Sequence, residues 1–313
     1  MNKFLNEVLE GLKAEPKYLL SKYFYDEKGD KLFQKIMECA EYYPTKCESE
    51  IFTTQTHELA KTLKNGFDTF DLIEMGAGDA TKSSHLLAQL IKEKANFTYY
   101  PIDISKSMVA HLEENLHKNI PGLKVHGLNG EYLHMLEKAS DISSQRKVVL
   151  FLGSNIGNIS IDEASKFCSH IRGLLQTGDY LMIGFDLKKN PKTIRAAYND
   201  AEGFTRDFNL NLLTRINHEL GGDFDLANFE HYPSYDPASG ACKSYLISLK
   251  DQTVKIGKAD FIHFKKDEYI FMEISQKYSV QQTDELAEKS GFRPIKHFLD
   301  SQDWFLDTVW ECV

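Results

Sequence analysis

Phe70-Asp71-Leu72-Ile73-Glu74-Met75, followed at once by Gly76-Ala77-Gly78, is the stretch on which the fold turns. The short apolar run reads as a buried strand, the glycines as a sharp turn, and the helical pattern from about Lys82 as the helix that leaves it. The unit recurs along the chain. A second strand is predicted at Phe97 to Ile102, closing on Asp103, and a further one at Lys147 to Leu152, ending in Gly153-Ser154-Asn155-Ile156-Gly157-Asn158. Another, Asp179 to Phe185, ends at Asp186. Strands separated by helical stretches, with glycines and polar residues at their carboxyl ends, predict an α/β fold: a doubly wound parallel sheet whose ligand sits at the carboxyl edge.

On the amino-terminal side, Ser49 to Leu63 has helical spacing. The segment before it, to about Thr45, is helical in pattern and dense in aromatics: Tyr18, Tyr23, Phe24, Tyr25, Phe33, Tyr42 and Tyr43. Such a segment is either a cap over a ligand or a helical pair packed on the core. On the carboxyl side the pattern changes after Asn190-Pro191. A long helix is predicted over Thr193 to Leu220, broken at Gly221-Gly222, with strands at Lys243 to Leu249, Thr253 to Ile256 and Tyr269 to Tyr278. This describes a second, α+β unit. A helix from Val280 to Gly291 and strands around Trp304 and Val309 are expected to return to the first sheet.

The chain of 313 residues, 42% hydrophobic and 27% charged, is long enough for one large core or two modest ones. Its 37 Lys+Arg against 46 Asp+Glu, a formal charge of -9, disfavours a nucleic-acid partner, which calls for a basic face. No apolar run reaches the roughly 18 residues of a membrane span, and the start, MNKFLNEVLEGLKAEPKYLL, is studded with Lys and Glu rather than built as a signal peptide. A soluble, cytoplasmic protein with no membrane partner is expected. Cys39, Cys47, Cys168, Cys242 and Cys312 are odd in number and scattered, with no Cys-x-x-Cys pair, so neither a disulfide framework nor a metal site is expected.

The glycine turn narrows the ligand. The dinucleotide fingerprint wants a third glycine or an alanine where this chain has Thr81, and no Gly-Lys-Ser/Thr phosphate loop is present. An adenosyl ligand without a pyrophosphate remains, its ribose needing a carboxylate at the end of the next strand, where Asp103 stands. S-adenosylmethionine fits that description; a glycine turn in an unrelated sheet of this type is the bland alternative. Glu131 and Tyr132, within Val125 to Leu133, would offer an acceptor and an aromatic surface to an adenine at the third strand end. Gly153 to Asn158 add two glycines and an amide at the next. Asn158 has an ordinary explanation as well, as the cap of the helix containing Ile161 to Ile171.

Several segments carry more than a generic pattern. Tyr23-Phe24-Tyr25-Asp26-Glu27-Lys28-Gly29 with Leu32-Phe33, Glu41-Tyr42-Tyr43-Pro44-Thr45, Phe151 to Asn158, Tyr198-Asn199-Asp200-Ala201-Glu202-Gly203, Phe208-Asn209 and Glu273-Ile274-Ser275 resemble, in order, the histidine-specific N-alpha-methyltransferase family, whose members include the first enzyme of ergothioneine biosynthesis. The resemblance runs from about residue 18 onward. It implies a Rossmann-type class I methyltransferase domain at 49–187 and 278–313, and a substrate-binding domain at 1–48 and 188–277. It also implies S-adenosylmethionine as methyl donor and a free amino acid as acceptor, converted to a trimethylated betaine (hercynine, for histidine).

Carried over to this chain, the resemblance assigns Gly76 and Lys82 to the methionine end of the cofactor, Asp103 to the ribose, and Glu131 with Tyr132 to the adenine, with Gly78 also among the cofactor-binding residues. Tyr25 would lie beside the substrate amine, with Gly153 and Asn158 positioning it. Tyr42, Asn158 and Tyr198 would grip the carboxylate, Phe33, Thr205 and Phe208 would wall the pocket, and Glu273 with Ser275 would bond the imidazole. Ser244 stands where the histidine-specific enzymes have a methionine, so a tryptophan-like or modified amino acid is the alternative substrate. Glu273 lies among Phe271, Met272 and Ile274, and a carboxylate turned into a core needs a specific partner. A non-catalytic sensor of the same ligands and a methyltransferase acting on protein groups are the other readings. A monomer is favoured, with no motif that fixes the oligomeric state.

Overall fold

The computed structural model describes residues 3–65 and 69–313. The chain divides into two compact units, Met1–Tyr43 with Lys189–Ser275, and Pro44–Lys188 with Gln276–Val313. The domain edges were expected a few residues later at 48/49 and 277/278, and one earlier at 187/188. Pro44–Lys188 starts before Glu48 because the carboxylate of Glu48 bonds Lys82 and the Gly153 N–H, both in that unit. Gln276–Val313 takes in Lys277 because its ammonium pairs with Asp186.

The second unit is built on a sheet in the order Phe292–Leu299, Phe305–Cys312, Tyr180–Asp186, Arg146–Phe151, Thr69–Met75, Asn96–Asp103 and Lys124–Val125, with Leu128–Asn129 also on Asn96–Asp103. The strands from Tyr180–Asp186 to Lys124–Val125 run parallel, and their near-continuous apolar sequences follow from burial on both faces. The two carboxyl-terminal strands are antiparallel, so the sheet is mixed rather than parallel throughout. The connection at 300–304 is too short for a crossover helix, and Asp300 tightens it by accepting the N–H groups of Trp304 and Phe305 at 2.7 Å. Val125 to Leu133 forms two brief strands, and Tyr132 opens the helix Tyr132–Ile142.

The first unit holds a four-stranded sheet, Lys17–Tyr18, Tyr269–Gln276, Ala241–Ser248 and Phe229–Tyr235, and a separate hairpin of Gln252–Ile256 with Asp260–Phe264. The strands Phe229–Tyr235 and Asp260–Phe264 were not expected from the sequence. The predicted helix from Thr193 to Leu220 is two, Pro191–Ala197 and Phe204–Leu220. Asp200 causes the break by accepting the N–H groups of Phe204 and Thr205, and Gly203 turns the chain at φ +75°. Ser49 to Leu63 likewise lies in two helices, Tyr43–Thr54 and Thr56–Leu63. The aromatic segment splits in its use. Phe24 and Tyr43 are buried, Phe33 and Tyr42 half-buried, and Tyr25 is 43% exposed. Among the described residues no helix is long and apolar enough to cross a membrane.

The Lys277–Asp186 ion pair, at 2.6 Å with side chains 1% and 0% exposed, is the most deeply buried in the second unit. Lys277→Met strands a buried carboxylate and is expected to lower unfolding free energy by about 3–5 kcal/mol, whereas the double variant D186N/K277M recovers most of the loss. Urea titration of the three proteins measures the difference.

Candidate active site

The second unit gathers one group of the sequence-selected residues. Gly76 has φ +73°, and a Cβ there would lie 2.8 Å from the Tyr132 hydroxyl, so the turn and the aromatic ring share a space that only glycine leaves open. Backbone N–H groups of Gly76 and Ala77 donate to the Ile102 carbonyl at 2.8 and 3.2 Å, tying the turn to the end of the neighbouring strand. Asp103 closes that strand. Its carboxylate accepts from Gly78 N–H at 3.1 Å and Ser105 N–H at 2.8 Å, which orients it beside the turn. Burial pushes the Tyr132 hydroxyl up to about 12, with the Asp103 charge adding to the shift. Glu131 is exposed and stands at the N-cap of the Tyr132 helix.

Lys82 and Gly153 are neighbours as well: a Cβ on Gly153, whose φ is +74°, would lie 3.7 Å from Lys82 Nζ. Burial opposes the Lys82 charge, but Glu48 outweighs it and holds the ammonium above the usual lysine range. Asn158 ends the short helical turn Asn155–Asn158 and is exposed. It does not cap the next helix, because Ser160 does, in a reciprocal capping box with Glu163.

The first unit gathers the rest. Phe208 lies 5.6 Å from the Tyr25 ring and 5.8 Å from Phe33, Phe33 lies 6.4 Å from Tyr42, and Tyr42 lies 6.5 Å from Tyr198, forming an arc of rings. The arc ends in a polar step, where the Tyr198 and Ser275 hydroxyls are 2.6 Å apart. Ser275 and Glu273, two apart on one strand, share a face. The buried Ser244 hydroxyl donates to Glu273 Oε1 at 3.2 Å, so Ser244 orients the carboxylate besides being smaller than methionine. Thr205 is buried in the first turn of Phe204–Leu220. Burial raises the Asp200 carboxyl, yet hydrogen bonds from Thr205 and Phe204 outweigh it and hold it below the usual range.

Glu48, Glu74 and Asp307 are buried acids at the same edge of the second sheet that sequence reasoning did not single out as site residues. Glu48 precedes Ile51 and Phe52 by three and four residues, which puts it on the apolar face of its helix; Asp307 interrupts the apolar run Phe305 to Trp310. Burial pushes the Glu74 carboxyl from 4.5 to about 7 against the pull of the Tyr99 hydroxyl, which donates to it at 2.5 Å.

Comparison with known proteins gives a family model described as histidine-specific methyltransferase, SAM-dependent, which matches residues 4–312. Histidine N-alpha-methyltransferase of Mycolicibacterium smegmatis is 33% identical over 296 residues, covering 94% of this chain and 90% of the relative. That of Mycobacterium tuberculosis is 30% identical with the same coverage. An L-tryptophan methyltransferase of Psilocybe serbica is 29% identical, covering 94% and 89%.

The raised Glu74 carboxyl makes the folded protein hold a proton that the unfolded chain has lost, so stability falls as pH rises from 4.5 to about 7. Glu74→Gln is expected to flatten that part of the profile by a few kcal/mol at most. Denaturant midpoints across this window read it directly.

Proposed function

The chain belongs to the histidine-specific, S-adenosylmethionine-dependent methyltransferase family, and from that premise we propose that it methylates the α-amino group of a free amino acid, histidine first, to the trimethylated betaine. The observation that carries the substrate reading is the polar face of Glu273 and Ser275, fixed by Ser244 and Tyr198 at the end of an aromatic arc. An aromatic side chain with a ring N–H suits such a face, because the rings provide apolar area and the carboxylate an acceptor. A site built to satisfy that N–H rejects analogues lacking it more strongly than an apolar wall does.

The cofactor reading rests on the other group. The Tyr132 ring suits an adenine, the Asp103 carboxylate at the strand end a ribose diol, and the Gly76 turn with the Lys82 ammonium the methionine end. When bound, S-adenosylmethionine supplies an electrophilic methyl group on a sulfonium. The chain's own residues would then mainly align and dry the reactants. From the second unit Gly153 and Asn158 would orient the amine, and shielding from water favours its neutral, nucleophilic form. From the first unit Tyr42 and Tyr198 would hold the carboxylate through their hydroxyl groups. Such groups can rearrange as successive methylations remove N–H donors, so no strong base is required.

A second substrate reading, tryptophan or a modified aromatic amino acid, draws on Ser244. Its small side chain leaves more room than methionine, and an indole N–H could use the same carboxylate. A screen of the twenty common amino acids with methyl-labelled S-adenosylmethionine is expected to give trimethylated histidine as the main product. Cofactor and histidine binding without transfer would instead indicate a sensor, and labelling of proteins unaffected by free amino acids a protein methyltransferase. Glu273→Ala should raise KM for histidine about 10–100-fold with little change for the cofactor. Improved histidine use by Ser244→Met would point to another natural substrate.

A further inference from the structure

Three buried acids of the second unit lie around Lys82. Glu48 is fully buried, and its carboxylate meets the Lys82 ammonium on one oxygen and the Gly153 N–H, at 2.6 Å, on the other. Asp307 is fully buried too, yet neither of its oxygens has a hydrogen-bond donor among the described residues. It pairs in strand register with Gly184, and the missing side chain of Gly184 is what admits both acids. A Cβ there would lie 2.6 Å from Glu48 Oε1 and 3.1 Å from Asp307 Oδ1. Glu74, buried on the central strand and bonded to Tyr99, is the third acid that acts on Lys82.

Charge decides which acid can ionise. If Glu48, Glu74 and Asp307 were all carboxylates, three buried negative charges would share the one, partly exposed, Lys82 ammonium, and any left unpaired would be costly. Glu48 has a donor on each oxygen and can carry a charge. Asp307 has none.

We propose that Asp307 is held as the neutral acid facing Glu48, and that Glu48, so left with the charge, is the positioning residue that fixes Lys82 and the Gly153 loop for the cofactor. The second part rests on the S-adenosylmethionine reading above. Burial, reinforced by the Glu48 charge and opposed by Lys82, pushes the Asp307 carboxyl well above the usual range, in the same direction. Glu48 touches neither the transferred group nor the acceptor in this scheme; it acts through Lys82 and the Gly153 amide.

The test pairs a direct readout of the proton with cofactor affinity. Infrared spectra of the wild-type protein at neutral pH should contain the carbonyl stretch of a buried carboxylic acid that D307N removes. D307N keeps a neutral group of the same shape and should retain cofactor affinity within about twofold, whereas E48Q, which loses the charge, should weaken S-adenosylmethionine about tenfold. In E48Q the cofactor KM should rise more than the amino-acid KM. A buried carboxylic-acid band that is absent from the wild type or survives in D307N overturns the proposal, as does an E48Q protein with wild-type cofactor affinity. Should E48Q fail to fold in a thermal melt, E48D, which keeps the charge on a shorter side chain, takes its place: cofactor affinity weakened with the amino-acid KM little changed supports the positioning role, and wild-type cofactor affinity overturns it. A wild-type protein that binds no S-adenosylmethionine would sink the functional reading instead, leaving the Asp307 proton to be judged by its spectrum.

Discussion

Burial of acidic groups at the carboxyl edge of the parallel strands is the constraint on which the second unit turns. A carboxylate out of water must be paired, and Glu48 meets that demand by joining three pieces of chain: its own helix, the Lys82 turn and the Gly153 loop. Glycine at 184 is the steric condition for this, since any side chain would enter the space the carboxyl groups use. Glycines at 76 and 153 serve the same edge differently, through positive φ and close approach. The edge is thus shaped as much by side chains left out as by those present.

The first unit solves a different problem. It lines one face with aromatic rings and then places hydroxyls and a carboxylate among them, each oriented by a neighbour: Tyr198 by Ser275, Glu273 by Ser244. Such neighbours remove the freedom a lone polar side chain would have. Ser244 bonds Glu273 rather than only vacating volume, so it orients that carboxylate as well as being smaller than methionine.

Much of the fold was legible because parallel strands buried on both faces leave unbroken apolar runs, and the runs ending at Met75, Asp103, Leu152 and Asp186 each closed on a turn or polar signal. Phe229–Tyr235 was not, since Glu230, His231 and Pro233 break its apolar pattern at a sheet edge where proline is tolerated. The break before Phe204 was hidden because a single side chain, Asp200, caps the new helix from within a stretch of helical composition. Lys82 and Asp103 could be chosen from their places after strands. Glu48 and Asp307 could not, because a charged residue in a helix or strand is usually on its wet face, and only the three-dimensional packing brings Glu48, Lys82 and Gly184 together.

The antiparallel strand Phe305–Cys312 lies inside the sheet, between Phe292–Leu299 and Tyr180–Asp186, rather than at its rim. During synthesis the Tyr180–Asp186 strand therefore emerges long before its neighbour and waits with an unsatisfied hydrogen-bonding edge while residues 189–275 are made. Residues 189–275 share one core with the earlier Met1–Tyr43 segment and form it while the sheet they interrupt is still incomplete, which makes that waiting edge the point most exposed to mispairing between nascent chains.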